Sequence, residues 1–344
     1  MMNLQEAIAV IVGGGNLSRE QAAGVMTCIM GGDATAAQMG GFLVALRMKG
    51  ETVDEITGLA ETMRRFATRI PAARRPLVDT CGTGGDHSGT FNISTTAAFV
   101  VAGAGVAVAK HGNRGATSRC GSADVLEALG VNLNLSPADV ARCIDETGIG
   151  FLFARTLHSA MRHVVPVRVE LRTRTVFNIL GPLANPADAD GQIMGVFDPA
   201  LTAILAGVLQ QLGVRHAYVV SGLDGLDELS LSGPSRVAEA CGGKIAEYEL
   251  NPGDFGLKTA PRDAIAGGDA LQNAEILRRV LSGEKGPCRD IVLMNAAPAI
   301  VAGMGASDLA GGFARAVESL DSGAALAKLE ALIRFTTAIS GDSG

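Results

Sequence analysis

Between Asp79 and Thr95 the chain carries Gly82-Thr83-Gly84-Gly85-Asp86 after a short apolar run, then Phe91-Asn92-Ile93-Ser94-Thr95 at the start of an alanine-rich one. Glycines let backbone N–H groups come close to an anion. A helix starting here adds free N–H groups, a favourable dipole and the Ser94 and Thr95 hydroxyls. The chemistry this suits is phosphate binding. The spacing is neither Gly-x-x-x-x-Gly-Lys-Ser/Thr nor Gly-x-Gly-x-x-Gly, so nucleotide hydrolysis and hydride transfer lose support.

Two further segments carry chemistry. Lys110-His111-Gly112-Asn113-Arg114 follows a second apolar run and leads into Thr117-Ser118-Arg119-Cys120-Gly121-Ser122-Ala123-Asp124. Its cations and hydroxyls suit a second phosphate cluster. A Lys or Arg buried unpaired at a strand end is costly, so an anionic ligand or a carboxylate such as Asp124 or Glu127 is implied. Asp227-Glu228 follows a later strand and a glycine-rich loop. Adjacent carboxylates there suit magnesium, a hard cation that takes oxygen ligands and bridges to substrate phosphates.

The elements that must position these groups fall into two kinds. The first seventy residues have a helical rhythm. Leu4, Ile8, Ile11 and Val12 share one face, and capping boxes at Ser18/Gln21, Thr35/Gln38 and Thr52/Glu55 open three more helices, with Gly31, Gly32 and Gly50 as stops. After Pro71 the pattern becomes apolar runs, glycine-rich turns and helical segments, with strands expected at Leu77–Thr80, Val106–Ala109, Ile149–Phe153 and Ala217–Val220. Ser136-Pro137 opens a helix in cap-then-proline order, and Leu326, Leu329, Leu332 and Ile333 mark a helical tail. The expected fold is α/β: a small N-terminal helical domain over 1–70, and a larger α/β domain over 71–344 with a largely parallel central sheet.

Composition narrows the function classes. With 344 residues, 47% hydrophobic and 19% charged, a core divided between two domains is available. The most apolar stretches are short or interrupted, so no membrane span is expected. Nothing at the N-terminus resembles a secretion signal, which reads as cytoplasmic. A net charge of −6 argues against nucleic acid in general. The local exception is the run Arg64, Arg65, Arg69, Arg74 and Arg75, which could serve a catalytically silent nucleic-acid-binding protein. Six cysteines lie far apart with no Cys-x-x-Cys pair, as expected for buried free thiols.

Taken together, these segments resemble the anthranilate phosphoribosyltransferase family, in the same structural superfamily as the pyrimidine nucleoside phosphorylases. The likeness spans nearly the whole chain. It includes Gln38 to Leu46, Lys49-Gly50-Glu51, Gly82 to Asp86, Asn92 to Thr95, Lys110 to Arg114, Gly121 to Gly130, Arg174-Thr175-Val176-Phe177-Asn178, Gly181-Pro182-Leu183, Asp227-Glu228, Asn273-Ala274, Asp290 to Ala296 and Ser322-Gly323. The resemblance implies transfer of 5-phosphoribosyl from phosphoribosyl pyrophosphate to anthranilate in tryptophan biosynthesis, magnesium as cofactor, and a homodimer with the cleft between its two domains, the helical one joined by part of 165–185. It implies donor contacts at Gly82, Gly85, Asp86, Thr90, Asn92, Ser94, Thr95, Lys110, Thr117, Ser118 and Ser122. Acceptor contacts would be Gly82, His111, Asn113 and Arg168, and magnesium would sit at Ser94, Asp227 and Glu228.

Departures from the family pattern gather near the acceptor residues. Arg172 stands where glycine is usual, Arg155 where proline is usual, and Val169 where a basic residue is common. Arg172 and Arg155 motivate an alternative, the same chemistry on a different aromatic or heterocyclic acceptor.

Overall fold

The computed structural model describes residues 2–86, 88–115 and 119–341, without the side chains of 340 and 341. Four helices come first: α1 (Leu4–Val12), α2 (Arg19–Gly31), α3 (Ala36–Lys49) and α4 (Val53–Phe66). All three expected capping boxes form. In the second of them Gln38 N donates to the Thr35 hydroxyl at 3.3 Å while Thr35 N donates to Gln38 Oε1 at 3.0 Å. Beyond them run β1 (Leu77–Gly82), α5 (Ile93–Gly103), β2 (Ala107–Gly112), α6 (Ser122–Ala128), α7 (Pro137–Thr147), β3 (Ile149–Phe153), α8 (Ala154–Leu157), α9 (Val165–Leu171) and α10 (Phe177–Leu183). The chain continues through β4 (Gly191–Gly195), α11 (Leu201–Gln211), β5 (His216–Gly222), β6 (Ser235–Cys241), β7 (Lys244–Leu250), α12 (Ala270–Leu281), α13 (Pro287–Ala302), α14 (Leu309–Asp321) and α15 (Ala324–Gly341).

The seven strands form one sheet in the order β3-β2-β1-β4-β5-β6-β7. The first five are parallel; β6 and β7 add antiparallel. The order reverses between β1 and β4, and ligands of open parallel sheets bind beyond the strand ends at such a switch point. One core unites α5, α12 and α13 with one face of the sheet. On the opposite face a second core joins α1–α4 to α9, α10 and α11. Among the described residues no helix is long and apolar enough to cross a membrane.

The arginine run is committed to this architecture. Arg64 donates to the carbonyls of Leu183 (2.7 Å) and Leu212 (3.4 Å), and Arg65 donates to the Thr62 hydroxyl. Arg69 and Arg75 pair with Asp188 and Asp190, and Arg74 engages Asp145 through its backbone N–H and its side chain. Cations already partnered by their own chain do not form a phosphate-tracking stripe, so the nucleic-acid reading loses its motive. All six cysteines are free, but only Cys81, Cys120 and Cys143 are buried; Cys28 and Cys288 are half-buried and Cys241 is exposed. The expectation of uniform burial fails because Cys241 and Cys288 lie at the ends of β6 and α13, and Cys28 sits beside rather than on the buried face of α2.

Candidate active site

Gly82 and Gly195 end β1 and β4 and face each other in register. Both must be glycine because the loop after β5 packs on them. A Cβ at Gly82 would lie 2.7 Å from Asp227 Oδ2, and one at Gly195 would overlap the Asp227 carbonyl. This close approach drops Asp227-Glu228 into the switch point. From behind, Asn295 of α13 holds the loop, accepting from Leu229 N at 2.8 Å and donating to Leu229 O at 3.0 Å.

The carboxylates are wired to the phosphate-type donors. Gly84 N donates to Asp227 Oδ2 at 2.8 Å, and Ser94 N, in the first turn of α5, donates to Glu228 Oε1 at 3.2 Å. Gly84 and Gly85 are both left-handed, φ 64° and 80°, a pair of conformations that only glycine adopts cheaply. Asp86 lies against Asp227, its Oδ2 buried with no hydrogen-bond partner among the described residues. Burial and the neighbouring carboxylates push the carboxyls of Asp227 and Glu228 well above the usual range, and Lys110 opposes this at Glu228. The carboxylates crowd against the ammonium of Lys110, an excess of oxygen donors and negative charge of the kind that suits a hard cation. No group of three His, Cys, Asp or Glu suited to a metal occurs among the described residues. Two carboxylates and the Ser94 hydroxyl are oxygen donors of the kind magnesium takes alongside water and substrate oxygens.

Lys110 and His111 divide the site. Both lie on β2, which runs two residues past Lys110, so their side chains take opposite faces of the sheet. Lys110 is 3% exposed; its ammonium donates to Thr80 O and lies 3.5 Å from the Ser94 hydroxyl. Burial pulls its pKa down, while Asp79, Cys81 and Glu228 favour the charged form. Asp79 is itself held by His111 N (3.0 Å) and the Asn185 amide (2.8 Å). On the other face His111 Nε2 meets His158 Nε2 at 3.1 Å, and its remaining nitrogen bonds the Gly181 backbone. Burial holds His111 down to about 3 and His158 to about 4, so both rings are neutral. With Nδ1–H spent on a carbonyl, His111 must accept at Nε2 from His158.

The remaining expected residues sort clearly. Asn92 donates to Cys120 O (3.2 Å) and accepts from the Asn273 amide (2.9 Å); the Thr95 hydroxyl donates to Ser122 Oγ at 3.0 Å; Thr90 pairs with Ser88 at 3.2 Å. These line the same end of the sheet as Gly82 and Asp86. Asn113 is exposed, its side-chain oxygen accepting from Arg114 N. Arg114 is bound to Asp124 (2.9 Å) and Glu127 (2.8 Å), the structural option open from the sequence. Thr117 and Ser118 lie outside the described residues. Arg168 on α9 is half-buried and makes no ion pair or side-chain hydrogen bond among the described residues; its guanidinium lies 5.8 Å from the Phe177 ring centre, and burial lowers its pKa. Arg172 and Arg155 are exposed. Sequence reasoning passed over His158, Asn185 and the side chain of Arg174, which packs on Phe197. Only position near the Phe177–Leu183 and Arg168 motifs could have flagged them.

The helical part, residues 5–67, matches the family model of the glycosyl transferase family helical bundle domain, and residues 74–326 match the glycosyl transferase family a/b domain. Among curated proteins, an anthranilate phosphoribosyltransferase of Symbiobacterium thermophilum is 57% identical over 96% of this chain and 97% of its own length. Among solved structures, the anthranilate phosphoribosyltransferase of Thermus thermophilus superposes with a TM-score of 0.91, at 48% identity over 96% of this chain and 99% of that one. The enzyme of Saccharomyces cerevisiae in complex with PRPP and Mg does so with a TM-score of 0.88, at 28% identity over 97% and 98%.

Proposed function

The chain belongs to the anthranilate phosphoribosyltransferase family, and from that premise we propose that it moves 5-phosphoribosyl from phosphoribosyl pyrophosphate to anthranilate, giving N-(5-phosphoribosyl)anthranilate and pyrophosphate in cytoplasmic tryptophan biosynthesis. The observation that carries the reading is the meeting of the Gly82–Asp86 turn, the α5 start and Asp227-Glu228 at the β1/β4 switch point.

Loss of pyrophosphate leaves positive character on the ribose, so the site must neutralise the leaving group and hold the acceptor amine in line. Gly82, Gly85, Asp86, Thr90, Asn92, Ser94, Thr95, Lys110, Ser122 and, outside the described residues, Thr117 and Ser118 are assigned to the donor. Gly84 N and Ser94 N, which donate to Asp227 and Glu228, place the turn and the α5 start beside these carboxylates. Ser94, Asp227 and Glu228 would hold magnesium, which when bound supplies positive charge to the departing pyrophosphate. Lys110 adds a buried ammonium to the same end. Gly82, His111, Asn113 and Arg168 are assigned to the acceptor, whose carboxylate the guanidinium of Arg168, unpaired among the described residues, can clamp. His111 orients rather than accepts a proton, because Nε2 is engaged by His158. A base is not needed: an aromatic amine is already neutral and nucleophilic at pH 7.

Four exposed apolar side chains, Val12, Met48, Val165 and Val169, lie on α1, α3 and α9, which we propose form the homodimer contact; light scattering should give twice the chain mass. For the activity, purified protein with both substrates and magnesium should show magnesium-dependent loss of anthranilate fluorescence matched by pyrophosphate release. Donor binding without anthranilate turnover would refute the acceptor assignment, while absence of both would refute the transferase reading.

A further inference from the structure

Arg174 lies between α9 and α10, in a segment pinned by Arg47 of α3, which donates to the Arg174 carbonyl at 2.5 Å and to the Thr173 hydroxyl. Its own guanidinium reaches the other way. One nitrogen donates to the Gly85 carbonyl, and the group lies 3.6 Å from the centre of the Phe197 ring, two residues past β4. A Cβ at Gly85 would stand 3.1 Å from that guanidinium nitrogen, a tight approach at a residue already left-handed at φ 80°. The guanidinium serves this carbonyl, and the buried Oδ2 of the adjacent Asp86 has no hydrogen-bond partner among the described residues. A continuous line of contacts thus runs from the helical part to the Gly84–Asp86 turn.

Two successive left-handed glycines have no side chains to pack and lose much conformational freedom on ordering, so the turn needs an external support. We propose that Arg174 is a positioning residue for the phosphate donor: it fixes the Gly84–Asp86 turn at the β1/β4 switch point, and it makes that placement depend on the helical part through Arg47. The proposal rests on the reading of this turn as the donor site. Arginine suits the task because its flat fork stacks on Phe197 while donating in-plane, which the point charge of lysine does not do.

The test is calorimetric binding of phosphoribosyl pyrophosphate with magnesium to wild type, Arg174→Ala, Arg174→Lys, Arg47→Ala and the Arg47→Ala/Arg174→Ala double variant, with steady-state kinetics and Tm alongside. Loss of one charge-assisted hydrogen bond predicts about tenfold weaker donor binding and a matching rise in donor KM for Arg174→Ala. The kcat and the anthranilate KM should stay within about twofold, with Arg174→Lys intermediate. The double variant should be no worse than Arg174→Ala alone, since both changes cut one line of contacts. Unchanged donor affinity, equal loss for both substrates with a lowered Tm, or additive losses in the double variant would each overturn the proposal. If wild type binds donor but does not consume anthranilate, the acceptor reading falls and the Arg174 comparison proceeds on binding alone. If it binds no donor, both fall.

Discussion

Lys110 and His111 are neighbours in the chain and belong to two different environments. The period of a strand sends one to each face of β2. On the Lys110 face, hydrogen-bonding capacity is used internally: Gly84 N and Ser94 N are given to Asp227 and Glu228, Thr95 to Ser122, Asn92 to Cys120 and Asn273. There the carboxylates of Asp86, Asp227 and Glu228 outnumber the buried ammonium of Lys110. On the His111 face the two buried rings satisfy each other, and one half-buried cation, Arg168, has no counter-ion among the described residues. The lesson is that one strand can separate opposite electrostatic environments: a carboxylate-rich half, which we propose takes the phosphoribosyl donor with magnesium, and a half with an uncompensated guanidinium, which we propose takes the acceptor carboxylate.

The strongest way to break this comparison is at Glu228. Glu228→Gln keeps the shape and an oxygen to accept from Ser94 N but removes the ionisable carboxylate, whose charged form burial and its neighbour Asp227 disfavour and Lys110 favours. Loss of one preorganised electrostatic group should lower kcat/KM by roughly a hundredfold or more, about 2.7 kcal/mol. Relief of repulsion among Asp86, Asp227 and Glu228 should hold or raise Tm, the usual trade between a strained site and stability. A fall in Tm with activity retained would show that Glu228 is a structural carboxylate.

A change of intermediate size is expected at Arg168. Arg168→Ala should raise the anthranilate KM about ten- to a hundredfold, the worth of a charge-assisted hydrogen bond at roughly 1.5 to 3 kcal/mol, and leave donor binding unchanged. Because Arg168 has no partner among the described residues, its loss strands no carboxylate there and Tm should hold. A parallel loss of donor affinity would mean that the two halves are not separate.

Much of this was legible in the sequence, for reasons that differ by residue. Capping boxes and the Gly82–Asp86 turn are local, so their chemistry is written in adjacent letters; all three boxes form as expected. The strand Ile149–Phe153 matches to the residue, and β1 and β2 end two and three residues later than their apolar cores suggested. The sequence did not reveal β4, five residues bounded by glycine, too short to show a period, nor the antiparallel pair β6 and β7 around the Gly242-Gly243 turn. The site groups themselves were named, but not why they converge. Gly195 carrying the Asp227 loop, and Asn185 holding Asp79, are consequences of strand order, which local pattern does not encode. Arg114 illustrates the limit: the residues fit an anion or a carboxylate, and only the placement of α6 decided for Asp124 and Glu127.

The smallest expected effect concerns the cation nearest Arg168 in sequence. Arg172 stands where glycine is usual in the family, and the structure supplies a conformational meaning for that difference: it caps α9 in the left-handed region, φ 45°, ψ 32°, with its N–H donating to Arg168 O at 3.2 Å. Glycine occupies this cap freely, whereas an L side chain there brings its Cβ too close to the backbone. The side chain is exposed and makes no hydrogen bond or ion pair among the described residues, so nothing there offsets that strain. Arg172→Gly should therefore stabilise the protein by about 1 kcal/mol, a rise of roughly 1–2 °C in Tm for a chain of this size. The kinetics with anthranilate and a panel of substituted aromatic acids should not change. A shifted acceptor preference in that variant would place Arg172 in the acceptor half and make its unpaired charge two guanidinia rather than one.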